Sequence, residues 1–206
     1  MKILRYIGCC CICALALIAC NPKSEVPNPS KGELDLTTVL YIGDGQMGGY
    51  MNDGLTKENQ VNSLANILAT QLTCLGVQPA NVPFLDASSI GISVNGLAPF
   101  HLGYKTDCKG VSGLSPVRDA STGDISCLTQ NIFQSAHPFD VFGIPGLKLN
   151  QFTNTNLSAT NAFFQRMSSS SSACVMNELM SRNASFFQLY IGLEDVLDYA
   201  KSGGTH

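Results

Sequence analysis

The segment Thr37-Thr38-Val39-Leu40-Tyr41-Ile42 constrains this chain most: a β-branched and apolar run that stops at Gly43. Such a run, bounded by glycine, reads as a buried strand. A Gly-rich turn from Gly43 to Gly54 follows it. Beyond that turn Val61, Leu64, Ala65, Leu68, Leu72 and Leu75 recur at helical spacing, and Gly76 supplies the C-terminal stop. A buried strand leading through a glycine turn into an amphipathic helix opens an α/β unit.

The stretch about 77–135 breaks this regularity. It carries Pro79, Pro83, Pro99 and Pro116 with scattered glycines and weak periodicity, and is expected to be an irregular insertion with short strands. Order returns at Asp140-Val141-Phe142-Gly143-Ile144-Pro145-Gly146, a short strand running into a turn. The serine run Ser168–Ser172 is expected to link a small helix near Phe163 to another over Val175–Met180. Ser185-Phe186-Phe187-Gln188-Leu189-Tyr190-Ile191 is a second strong strand, and Gly192-Leu193-Glu194-Asp195 starts a last helical turn.

The N-terminus carries a different kind of signal. Lys2 and Arg5 precede an apolar run from Tyr6 to Ala19, the layout of an export signal. The run is shorter than the roughly 20 residues a membrane-spanning helix needs, and it breaks into Asn21-Pro22-Lys23-Ser24-Glu25. Leu17-Ile18-Ala19-Cys20 resembles the bacterial lipobox, which implies removal of residues 1–19 and a lipid on Cys20. Acyl chains contribute about 0.8 kcal/mol of membrane affinity per buried methylene, so multiple acylation holds a protein on a bilayer. Asn21 resembles the default outer-membrane address of Gram-negative lipoproteins. Residues 20–36, with Pro22, Pro27 and Pro29, are expected to be a tether.

Loss of the signal removes Lys2 and Arg5 and moves the formal charge from −3 to −5. A mildly acidic chain with no basic cluster is a poor nucleic-acid partner. Cys9, Cys10, Cys11 and Cys13 leave with the signal, so Cys74, Cys108, Cys127 and Cys174 remain beside Cys20. An even set in an oxidising compartment implies disulfides with three pairings open, of which Cys108–Cys127, flanking a Gly/Ser-rich stretch, is favoured. No Cys-x-x-Cys spacing occurs and no histidine lies close in sequence, so neither a zinc site nor a cofactor is expected.

Three segments together resemble the SGNH, or GDSL-type, hydrolases, which are esterases and lipases on a flavodoxin-like α/β sheet. The first is Tyr41-Ile42-Gly43-Asp44-Gly45-Gln46-Met47-Gly48-Gly49-Tyr50, similar to the strand and Gly-Asp-Ser turn that present the nucleophile. The second, Phe142-Gly143-Ile144-Pro145-Gly146, looks like the block whose later glycine donates a backbone N–H to the oxyanion. The third, Tyr190-Ile191-Gly192-Leu193-Glu194-Asp195, looks like the Gly-x-Asn-Asp block that supplies an Asn donor. Asn59 to Ala69 is similar to the helix that follows the nucleophile in lipoprotein members. The resemblance implies a three-layer sandwich whose N-terminal part spans residues 37–206 and whose C-terminal strands are missing. An α/β sheet that stops there leaves an open edge.

The departures fall on the chemistry. Gly45 stands where the resemblance requires the serine nucleophile, and Glu194 where it requires Asn. A carboxylate at that place repels a developing oxyanion that needs donors. The Asp-x-x-His block that carries the family's base is absent before His206. Removing the nucleophile of a serine hydrolase costs on the order of 10⁶ in turnover, and one oxyanion donor roughly 10²–10³. Asp44 is retained but is a structural neighbour in the family; His101 and His137 read as surface residues. Three readings stay open: an inactive surface lipoprotein of hydrolase descent, a scaffold that binds an ester or glycan, and an active hydrolase with a substituted mechanism.

Overall fold

A computed structural model describes residues 28–134 and 138–205, and the chain divides into a unit Met1–Ser30 and a unit Lys31–His206. Cys20, the export signal, His137 and His206 lie outside the described residues. Within the second unit a parallel three-stranded sheet is built from β1 (Val39–Gly43), β4 (Val141–Gly143) and β5 (Phe186–Tyr190), in the spatial order β4-β1-β5. Between them along the chain, β2 (His101–Thr106) and β3 (Ser112–Val117) form a separate antiparallel hairpin. The expected insertion therefore does contain short strands, but they join each other and not the sheet.

Every residue of β1 is buried, because it is paired on both edges and covered on both faces. Its side chains alternate between two cores, as strand geometry requires. Leu40 and Ile42 enter one core with Phe142, Ile144, Leu157, Phe164 and Val175. Val39 and Tyr41 enter the other with Met47, Ala65, Ala69 and Val141. The result is a sheet with helices on each face, an α/β layer arrangement. Leu36 is already buried in the second core, so the folded body begins before the expected end of the tether at residue 36.

The helix after β1 is not continuous. The glycine turn itself holds a short helix α1 (Gly45–Gly48), and the predicted helix is split into α2 (Lys57–Val61) and α3 (Leu64–Leu72), with a 3₁₀ turn Thr73–Leu75 ending at a left-handed Gly76. Ser63 causes the split. Its buried hydroxyl accepts from the N–H of Asn66 at 3.1 Å and starts a new helix, as N-cap serines do. Val61 consequently falls off the apolar face and is exposed.

Further along lie α4 (Ser126–Thr129), α5 (Leu157–Thr160), α6 (Ala162–Gln165), α7 (Val175–Met180) and α8 (Leu193–Lys201). The expected last turn is thus a nine-residue helix. The serine run before α7 is structural: buried Ser168 meets Ser158 at 2.8 Å, and the N–H of Ser169 donates to Glu178 at 2.7 Å. The expected Cys108–Cys127 bridge is not formed; Cys74, Cys108, Cys127 and Cys174 are all free. Cys108 sits exposed at the tip of the β2–β3 hairpin, whereas the half-buried Cys127 thiol in α4 donates to the carbonyl of Asp124 at 2.9 Å. Among the described residues no helix is long and apolar enough to cross a membrane.

Candidate functional site

The three sequence blocks end at one edge of the sheet. Gly43 is in register with Gly143 and with Tyr190, so Asp44-Gly45, Ile144–Gly146 and Ile191–Glu194 all leave the sheet at the carboxyl ends of adjacent parallel strands. In open α/β sheets that is where ligands bind. The close approach is made possible by glycines: a Cβ on Gly43 would collide with the carbonyl of Tyr190, and one on Gly143 with the backbone of Gly48 in α1. The N–H of Ile144 donates to the carbonyl of Gly43 at 3.0 Å, and that of Asp44 to Tyr190 at 3.2 Å.

Asp44 is 1 % exposed and caps α1, its Oδ1 accepting from the N–H of Gln46 at 3.1 Å. Its Oδ2 is buried and makes no hydrogen bond of normal geometry. Burial pushes its pKa up, opposed by the backbone N–H groups of Gln46 and Leu193 and assisted by the nearby Asp195. Glu194 moves the same way, chiefly through burial; Lys201 opposes the rise and Asp44 adds to it. Burial that disfavours the charged form of both carboxyls makes the place hostile to a further negative charge.

Gly45 presents no side chain, and the space beside it is taken. A Cβ built on Gly45 would lie 2.9 Å from the Cβ of Tyr50. Tyr50 is held there by its hydroxyl, which donates to Asp53 Oδ1 at 2.7 Å and accepts from the N–H of Val94 at 3.2 Å. Burial, then the bond to Asp53, raises the Tyr50 pKa, so it stays a neutral phenol. Asp53 is fixed in turn by Arg118 at 2.5 Å, and the Arg118 guanidinium stacks 3.6 Å over Phe100. The sequence block ends at Tyr50, yet nothing in it signals that this ring packs against Gly45.

Gly146, at φ +76°, faces a cavity of about 470 Å³ that Ser93, Val94, Asn161 and Thr160 also line. The Asn161 side chain donates to the carbonyl of Pro145 at 2.9 Å and accepts from the N–H groups of Phe163 and Phe164, so its amide is already committed. Asp195 is committed as well: its Oδ2 accepts from the N–H of Leu149 at 3.0 Å, which pins α8 across the ends of the strands. His101 lies exposed in β2, 3.3 Å from Asp119, as part of the separate hairpin. Among the described residues no group of three or more His, Cys, Asp or Glu gathers as metal ligands do.

No family model matches the chain, and no curated protein or solved structure matches it. The assignment of function therefore rests on the residues and their geometry.

Proposed function

We propose that this chain is an exported lipoprotein, held on the outer membrane through Cys20, that keeps a flavodoxin-like SGNH-hydrolase scaffold without its ester-cleaving chemistry. The observation that carries the reading is the convergence of Gly45, Gly146 and Glu194 at the carboxyl ends of β1, β4 and β5. Taken in chain order, the three parallel strands stand second-first-third across the sheet. That is the start of the flavodoxin-like order 2-1-3-4-5. At the convergence point Tyr50 fills the room beside Gly45, and two carboxyls with raised pKa values stand where an ester oxyanion needs donors.

Hydrolysis of p-nitrophenyl acetate and butyrate by protein extracted from its native membrane tests the loss of activity. The expected rate equals the buffer rate, and Gly45→Ser does not raise it, because Tyr50 and Glu194 still occupy the site. Turnover by the natural chain that vanishes in Asp44→Asn would overturn the reading in favour of a substituted mechanism. The intact mass of the same extract tests the anchor: a Cys20 N-terminus carrying lipid is expected, and an unlipidated chain retaining residues 1–19 would refute it.

The cavity beside Gly146 favours a second reading, a scaffold that binds an ester or a glycan. Its wall mixes the hydroxyls of Ser93 and Thr160 with the apolar Ile92 and Leu157, a mixture typical of small-molecule sites. Calorimetric titration with a short acyl ester and with a simple hexosamine separates the two. Saturable heat that disappears in Gly146→Val supports binding; no heat from either ligand leaves the scaffold reading alone.

A further inference from the structure

Arg166, just after α6, is a buried cation without a counter-charge. It is 4 % exposed, and its guanidinium donates to the carbonyls of Pro83 and Phe84 at 2.8 Å each. Those bonds hold the loop over 83–85, a task the neutral amide of Gln60 shares by donating to Pro83 and accepting from the N–H of Leu85. Neither bond needs a charge. A guanidinium carries five N–H donors, and the Nε of this one is buried with no hydrogen-bond partner. No carboxylate among the described residues forms an ion pair with it. Burial pushes its pKa down to about 10, opposed by Cys127, so it stays charged at neutral pH. Cys127 gives no balancing charge there, because burial pushes its thiol up. Charges taken out of water are ordinarily paired.

Arg166 also lines a cavity of about 650 Å³, a size common for small-molecule sites. No residue of its wall belongs to the cavity beside Gly146. One wall, residues 84–89, follows Asn81, whose carbonyl accepts from the N–H of Asp140 at 2.9 Å just before β4. β4 flanks β1 on the side away from β5, and every wall residue falls between Lys57 and Arg166. The rest of the wall is mostly polar and less buried. Asp86 accepts from the N–H and hydroxyl of Ser88 at 2.8 and 2.7 Å, and Asp124 from those of Ser126 at 3.1 and 2.5 Å. The bonds from Ser88, with Lys57 nearby, hold Asp86 below the usual carboxylate range, and bonds from Ser126 and Ser89 do the same for Asp124. Both carboxylates therefore stay ionised and keep lone pairs for further donors.

We propose that this cavity binds a sugar acid, with its carboxylate on Arg166 and its hydroxyls donating to Asp86 and Asp124. A planar carboxylate matches the guanidinium fork and brings the single negative charge that Arg166 lacks. A neutral sugar leaves that charge unbalanced. A phosphate, at about −1.5 to −2 near neutral pH, carries more charge than one guanidinium offsets and brings it towards two ionised carboxylates. The hydroxyls of a sugar ring are the donors that Asp86 and Asp124 can still accept.

Calorimetric titration of the full extracted chain tests this with glucuronate, with glucose as its uncharged counterpart, and with inorganic phosphate as an anion without the ring. Glucuronate should bind saturably and at least about tenfold more tightly than either, the order of factor a hydrogen bond to a charged group supplies. Arg166→Gln should weaken glucuronate to the level of glucose, and Asp124→Ala should weaken both sugars. Ala87→Trp fills the cavity from an exposed position without touching Arg166. It should abolish glucuronate binding with an unchanged circular dichroism spectrum, which keeps the test open should Arg166→Gln fail to fold. No saturable heat with glucuronate, equal binding of glucose or phosphate, or glucuronate binding that survives Ala87→Trp or a folded Arg166→Gln would each overturn the inference.

Discussion

β1 and β5 lie side by side in one sheet, are each five residues long and mostly apolar, yet they have opposite surroundings. Val39–Gly43 is buried at every position; Phe186–Tyr190 is half-buried or exposed at every position. The difference does not come from strand propensity, since β5 is the more aromatic of the two. It comes from neighbours. β1 has a strand on each side and a core on each face, whereas among the described residues β5 has a strand on one side only and α8, which buries none of its residues, after it. Apolar character sets what a strand can be buried against, and topology decides whether anything is there.

The sharpest way to break this contrast is to wedge the closed side open. Gly143→Ala places a methyl against the backbone of Gly48, where neither α1 nor β4 can retreat without parting β4 from β1. A loss of about 3 kcal/mol or more is expected, at the top of the range for overpacking. Urea unfolding followed by circular dichroism measures it. A cost below about 1 kcal/mol would mean that α1 is loosely seated and that the closed side of the sheet is not closed.

Truncation of one leucine on each strand compares them directly. Leu40 is 1 % exposed in the middle of its core, and Leu40→Ala should cost about 2–5 kcal/mol. Leu189→Ala, at a side chain already half in water, should cost less than about 1 kcal/mol. Equal costs for the two variants would show that Leu189 is covered in solution.

How far these surroundings could be read in the sequence depends on the kind of signal. The strands at Val39, Val141 and Phe186 were legible because apolar runs bounded by Gly or Ser are local features, and their placement together at one end of the sheet follows the order of the three blocks. The single helix expected from Val61 to Leu75 was not, because periodicity continues through Asn62–Ser63 while the Ser63 hydroxyl ends one helix and begins the next. The free thiols of Cys108 and Cys127 were hidden for another reason. A Gly/Ser-rich stretch between two cysteines says nothing about a hairpin that carries Cys108 at its exposed tip. At the candidate site, the bare backbone of Gly45 and the carboxyl of Glu194 were readable directly. Tyr50 was not, since its role depends on Asp53 and Val94, which the ring reaches only once the loop over 91–97 has folded against it.

The smallest effect concerns the point where the two strands meet, at Asp44, whose backbone N–H donates to the carbonyl of Tyr190. Burial raises the folded pKa of Asp44, and burial with the nearby Asp44 does the same to Glu194. A raised folded pKa means the folded state holds the proton more tightly than the unfolded chain. The resulting stability is fully present below the ordinary carboxylate range and is lost as pH rises through the two raised values. Each proton contributes a slope of at most about 1.4 kcal/mol per pH unit. Asp44→Asn keeps the cap on α1, because asparagine caps a helix as well as aspartate does, and removes one of the two charges. The contribution of these two groups should therefore fall from about pH 4 upward, starting at the unperturbed carboxylate value, so over that range the variant's stability should rise relative to that of the natural chain. Thermal midpoints taken from pH 4 to pH 7 measure both curves. If they run parallel, Asp44 is already ionised at the acid end, and its buried charge is held by the N–H groups of Gln46 and Leu193 rather than by a proton.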